Sequence, residues 1–313
     1  MRHGAGPGLW QTVLVAVLAL GGCQAPPALT TPAPFAVAPA PKAPETPASA
    51  AIRQHYAEVQ AGLLSESLLR TESAPEDAPF TDRNLAENFL KIALFEEYAG
   101  GQVTPHSTET PIRLLRWAQP VRVALRFGAA VPAAQVATDT ALVASYLARL
   151  ARVTGHEISL DDRAPNFWLH IATVDERAAM APVLNRELAG LTAGQVASVT
   201  QMGPGTYCQV LTQSDAATST YVRAVAVIPS EHPDLMRLAC IHEELAQSLG
   251  LPNDSNAARP SIFNDDQEFA LLTRQDELML RILYDPALHP GMTEAEARPI
   301  VETLATRLMD GNS

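Results

Sequence analysis

The sequence predicts an α/β domain, and three segments carry that prediction. Val121–Phe127 (VRVALRF) alternates apolar and polar residues with period two, the mark of a half-buried strand. Residues 138–153 place Leu142, Tyr146, Leu147, Leu150 and Val153 on one face of a helix. Residues 221–229 (YVRAVAVIP) form an apolar strand, expected at a sheet edge, that runs into a helix over 234–249.

In chain order, Arg2, an apolar run at 13–20 ending in Leu20, and the small residues Gly21 and Gly22 precede Cys23. The run is far shorter than the roughly 20 residues needed to span a bilayer, so 1–22 reads as a cleaved signal peptide. Leu20 to Cys23 resembles a bacterial lipobox, which implies lipidation of Cys23; the alternative is an ordinary secretory signal with an incidental cysteine. Gln24, where Asp would signal retention at the inner membrane, implies an outer-membrane lipoprotein facing the periplasm of a Gram-negative bacterium. Residues 23–50 then comprise the lipidated cysteine and an Ala/Pro-rich tether, too rich in proline for helix or sheet.

Residues 51–80 read as a helical or partly disordered lead-in. Ile52, Tyr56, Val59, Leu63 and Leu64 support a helix over 51–69, and SAPEDAP (73–79) breaks it. The globular domain is expected over 81–313. Asp82 is expected to cap a helix over 83–97 that buries Leu85, Phe89, Ile92 and Ala93. A strand at 166–174 alternates Phe167, Leu169 and Ile171 with Trp168 and His170, making His170 a strand-face side chain rather than a ligand. Helices follow at 175–184, 275–284 and 294–309, and no internal repeat is visible.

Two cysteines remain after Cys23. In an oxidising periplasm Cys208 and Cys240 are expected to pair, closing a loop of about 30 residues that stabilises by roughly 3–4 kcal/mol; a reactive thiol or a metal site are the alternatives. The net charge of −12 and the absence of Lys/Arg blocks argue against nucleic acid as a partner and leave the lipid as the only membrane contact. There is no G-x-S-x-G, no phosphate loop after Gly203-Pro204-Gly205 and no dinucleotide fingerprint.

The segment 243–263, EELAQSLGLPNDSNAARPSIF, carries the functional signal. Its spacing resembles the metzincin frame H-E-x-x-H-x-x-G-x-x-H followed by a Ser-Ile-Met turn, with every metal ligand replaced. Glu243, Gln247 and Asn253 stand at the ligand positions, Glu244 at the general base, Gly250 at the glycine and Phe263 at the methionine. EELAQSLGLPND with PSIFND also resembles a bacterial lipoprotein family, domain of unknown function 2927, over most of 80–305. The resemblance implies a zincin-like α/β (α+β) domain with a mixed sheet, a central active-site-like helix and C-terminal helices.

Chemistry limits how far the peptidase activity carries over. Catalytic zinc prefers imidazole nitrogen, and amide oxygens suit Ca²⁺ or Mg²⁺. Without a metal Glu244 has no activated water to deprotonate. No cofactor is therefore expected. The leading expectation is a metal-free module in which Glu243, Gln247, Asn253 and Asp254 bind a protein or peptide of the cell envelope, gripped along the 221–229 strand. Other readings stay open: a structural hydrogen-bond network, an oxygen-rich Ca²⁺ or Mg²⁺ site drawing on Asp254, Asp265 or Asp266, and a metallohydrolase with Glu244 as base. His242 lies about 100° around the helix from Glu243, and its i+4 partner is Ala246, so a non-ligand role is expected.

Overall fold

The strand read from VRVALRF sits inside a six-stranded sheet of a computed structural model, which describes residues 45–96, 110–264 and 266–311. Leading into it are helices α1 (Pro47–Ser65) and α2 (Asp82–Ala93), then a small antiparallel pair, β1 (Phe95–Glu96) with β2 (Thr110–Pro111). Next come β3 (Arg116–Trp117), β4 (Val121–Phe127), α3 (Ala133–Thr154), β5 (Ile158–Leu160) and β6 (Phe167–Ala172). Three short helices follow, α4 (Val174–Ala178), α5 (Ala181–Glu187) and α6 (Ala193–Thr200). The hairpin of β7 (Gln209–Asp215) and β8 (Thr220–Pro229) leads to α7 (Asp234–Gln247), and α8 (Arg274–Leu283) and α9 (Glu294–Asp310) close the described chain. The fold is mixed α/β, as the alternation of periods predicts.

The strand order is β3-β8-β6-β4-β5, all parallel, with β7 antiparallel on the far side of β8. Strand β8 is therefore interior, with β6 and β3 along one side and β7 along the other. This corrects the expectation of an edge strand at 221–229. The physical signal was present: every residue from Ala224 to Pro229 is buried. A continuous apolar run marks a strand covered on both faces, whereas a half-exposed edge alternates.

Both faces are indeed covered. On one side Phe167, Leu169, Ile171, Ala224, Ala226 and Ile228 join the main core with residues of α2, α3, α7, α8 and α9. On the other, Val225, Val227 and Leu211 meet Met180, Leu184, Leu188 and Val199 from the α5–α6 layer.

The lead-in is part of this packing. Thr46 caps α1 by accepting from Ser49 N, and Pro47 occupies the first turn, where its missing N–H costs nothing. The helix thus begins inside the segment expected to be tether. Tyr56 is fully buried, Ser49 Oγ donates to Glu231 at 2.9 Å, and Gln60 Oε1 accepts from the Met236 N–H. Downstream, Leu69 and Arg70 donate to the carbonyls of Gln267 and Glu268. Thr81, rather than Asp82, caps α2 through a reciprocal box with Asn84. The helix stops at Ala93, and Glu97, its expected end, lies outside the described residues, as do 1–44 with Cys23. No helix among the described residues is long and apolar enough to cross a membrane.

Candidate functional site

Helix α7 leaves β8 through a polar corner, Ser230-Glu231-His232-Pro233, and most of its surface is buried. Glu243 and Gln247 are the half-buried exceptions near its end, and their i, i+4 spacing sets them side by side. Glu244, beside them, is only 4 % exposed. Its carboxyl is pushed well above the usual carboxylate range, first by burial and then by the charges of Glu243 and Asp254. Glu244 thus favours its neutral form more than an exposed carboxyl does, and its Oε2 has no hydrogen-bond partner.

The end of α7 is closed by distant side chains. Trp117 Nε1 donates to the Ser248 carbonyl at 2.8 Å, and the Tyr284 hydroxyl to the Leu249 carbonyl at 3.1 Å. Gly250 then turns the chain at φ +130°, where a Cβ would stand 2.2 Å from the Leu115 carbonyl oxygen. Only glycine fits there, for both backbone and steric reasons.

The returning chain brings Asn253 to the end of α2. Its backbone N–H donates to the Ile92 carbonyl at 3.2 Å and its side-chain Nδ2 to the Lys91 carbonyl at 3.1 Å. Beyond it, Ser261 Oγ donates to Asp276 and accepts from the Phe263 N–H, while Phe263 is fully buried. Asp276 also accepts from Ile262 N, Thr273 N and Thr273 Oγ1. Burial nevertheless raises its carboxyl to about 6. Buried hydrogen bonds to Asp276 thus hold this turn against the start of α8.

Glu243 and Gln247 thus stand side by side, with Glu243 and Asp254 near Glu244, whereas Asn253, expected to approach the same point, turns its amide nitrogen toward α2. Asp266 Oδ1 accepts from the Glu268 N–H, and Asp265 lies outside the described residues. Among the described residues no three His, Cys, Asp or Glu side chains form a set that could hold a metal ion. Zinc does not fit the donors present: two of the three at the ligand positions, Gln247 and Asn253, are amides. His242 accepts the Leu272 N–H at Nδ1 and stacks on Tyr146 with ring centroids 3.8 Å apart. Burial, then Arg149, pushes its imidazole down to about 3. His170 bonds Glu187 at 2.8 Å across the α5 layer.

Sequence reasoning missed a second polar knot, at the start of α7. Glu231, 0 % exposed, accepts from Ser49 Oγ, Val174 N and Arg177 Nη1. His232 lies edge-on to Tyr56, held neutral by burial and by Arg177 and Arg237. Arg237 pairs with buried Asp139. The available signal was a Ser-Glu-His run directly after an apolar strand. Cys208 and Cys240 form a disulfide here, as expected, tying the residue before β7 to the middle of α7.

Together these features define an α/β domain with one antiparallel strand on its outer side and a carboxyl-rich helix end returning through a glycine turn. Residues 82–303 match the family described as "Protein of unknown function (DUF2927)", and the chain belongs to that family. No curated protein and no solved structure matches it.

Proposed function

We propose that this protein is a non-catalytic binding module of zincin-like architecture that holds an extended polypeptide along β7. The observation that carries this reading is the position of β7. It pairs antiparallel with β8 on one side, and among the described residues no strand pairs with its other side. An unpaired row of backbone groups is a template for strand addition. The half-buried Glu243 and Gln247 of α7 supply side-chain recognition beside it. The zincin-like reading is supported by the succession of helix, strand, helix and strand into a central helix, and by the glycine turn at 250.

The proposed setting is the periplasmic face of the outer membrane, through lipid on Cys23, with envelope proteins or peptides as partners. The Cys208–Cys240 disulfide supports an oxidising compartment. Amide hydrogen exchange on the full chain, with and without a panel of unstructured peptides, tests the reading. Bound peptide is expected to slow exchange within 209–215. Binding that leaves these amides unchanged and protects another surface would overturn it. Stoichiometric metal removable by chelator, together with proteolysis abolished in Glu244→Ala, would replace it with a metallohydrolase.

A further inference from the structure

The carboxyl ends of the two central strands enclose a second site, independent of the reading for β7. Strands β4 and β6 are parallel neighbours, yet the chain leaves them in opposite directions. From β4 it passes through α3, on the main-core face, to β5. From β6 it passes through α5 and α6, on the other face, toward β8. In open α/β sheets a crevice forms beyond the strand ends at such a switch point, and ligands bind there. This chain has a cavity of about 560 Å³ at that place. Ala129, Ala130 and Pro132 line it from the connection after β4, and Thr173 and Asp175 from the connection after β6. The start of α1 closes it with Thr46, Ser49 and Arg53.

That volume suits a small organic molecule. Ser230 is held between the same two connections. Its N–H donates to the Ala172 carbonyl at 3.0 Å, and its carbonyl accepts from the Gln135 side chain at 3.3 Å. Its hydroxyl is buried and has no hydrogen-bond partner among the described residues, a state that native interiors seldom leave unexplained. The chemistry of the lining narrows the occupant. A phosphate is disfavoured, because the N–H groups of Ala130 and Thr173 already donate to the Glu176 carboxylate at 3.0 and 2.9 Å. Gly128 makes room for that carboxylate, since a Cβ there would stand 1.9 Å from Glu176 Oε2. The other charges have both signs. Arg53 donates its Nε to Glu45 at 2.7 Å, a bond that leaves its two terminal nitrogens for other acceptors. Asp175 accepts the Thr46 hydroxyl at Oδ2, which leaves Oδ1 for another donor. The long helices α1 and α3 both begin at the cavity, each with about half a positive charge at its start, and α3 has no side-chain cap.

We infer that this crevice binds a small zwitterion, an amino acid or short peptide whose ammonium meets Asp175 and whose carboxylate meets Arg53 and the start of α3. An ammonium only donates and a carboxylate only accepts, so a lining that offers one carboxylate oxygen and several N–H donors matches both. The small apolar surfaces of Ala129, Ala130 and Pro132 take the aliphatic part. Among the described residues no aromatic ring lines the cavity, so a sugar or a nucleobase finds nothing to stack on.

The test is calorimetric titration of the full chain with the dipeptide leucylalanine, its N-acetyl derivative and its C-terminal amide. Asp175 is exposed and Arg53 only half-buried, so each charge pair contributes modestly. Leucylalanine is expected to bind about fivefold more tightly than either derivative. Asp175→Asn should erase the preference over the acetylated derivative alone, and Arg53→Gln the preference over the amide alone. Asparagine keeps an oxygen for the Thr46 hydroxyl, and far-ultraviolet circular dichroism checks the fold of both variants. Bound dipeptide should slow amide exchange at 129–131 and 174–176 and leave 209–215 unchanged, which separates this site from β7. No binding of leucylalanine, or equal binding of all three compounds, overturns the proposal. A preference that its matching variant leaves intact overturns it too, as does protection that falls only elsewhere.

Discussion

Helix α7 has a buried acid near each end, and the two are treated differently. At the start, Glu231 meets Arg177, Ser49 and a backbone N–H, so its charge and both oxygens are engaged. At the end, Glu244 sits between acids with one oxygen idle. A matched acid holds the fold together, and an unmatched one weakens it.

The largest expected effect comes from breaking the matched end. Arg177→Ala leaves Glu231 buried without its counter-charge and should cost about 3–5 kcal/mol in chemical denaturation. Removing the covalent tie between β7 and α7, with Cys208→Ser and Cys240→Ser together, should cost about 3 kcal/mol, read as a lower unfolding midpoint. At the other end, Gly250→Ala should lose about 1–3 kcal/mol or more, because the new Cβ meets a backbone carbonyl in a disfavoured conformation.

The smallest effect runs the opposite way. Glu244→Gln should stabilise the protein by about 1–2 kcal/mol at alkaline pH, since a neutral amide replaces an acid that must ionise where it is buried. Glu244 has a raised folded-state pKa, so its contribution to stability is complete below its unfolded value of 4.5 and is lost as pH rises through the raised one. His242, two positions earlier, behaves oppositely. Its pKa is depressed from 6.5 to about 3, so its contribution is present above 6.5 and is lost as pH falls toward 3. Unfolding midpoints measured from pH 4 to 9 should show the alkaline decline flattened in Glu244→Gln and the acid decline unchanged.

Local periodicity made much of the fold legible. Strand β4, helix α3, strand β6 and the two C-terminal helices all follow from which residues repeat at period two or 3.6. Strand β7 was invisible because QVLTQSD is mostly polar and gains its identity from β8 beside it. The interior position of β8 was written in its unbroken apolar run but read as an edge. At the site, spacing found the side-by-side pair Glu243 and Gln247 and the need for Gly250. It did not foresee that the Asn253 amide nitrogen faces Lys91, more than 150 residues away in sequence. Nor could it find the knot at Glu231, whose partners come from Ser49, Val174 and Arg177. Hydrogen bonds between distant segments leave no periodic trace.

The borrowed caps of α7 bear on the order in which the molecule is made. Its first turn has no side-chain cap of its own and takes Gln60 from α1, while its last carbonyls wait for Trp117 and Tyr284. A ribosome releases Gln60 and Trp117 long before α7 exists, but Tyr284 emerges some 37 residues after Gln247. Helix α7 can therefore be complete only after the chain behind it has emerged, so its carboxyl-rich end is expected to mature among the last parts of the protein.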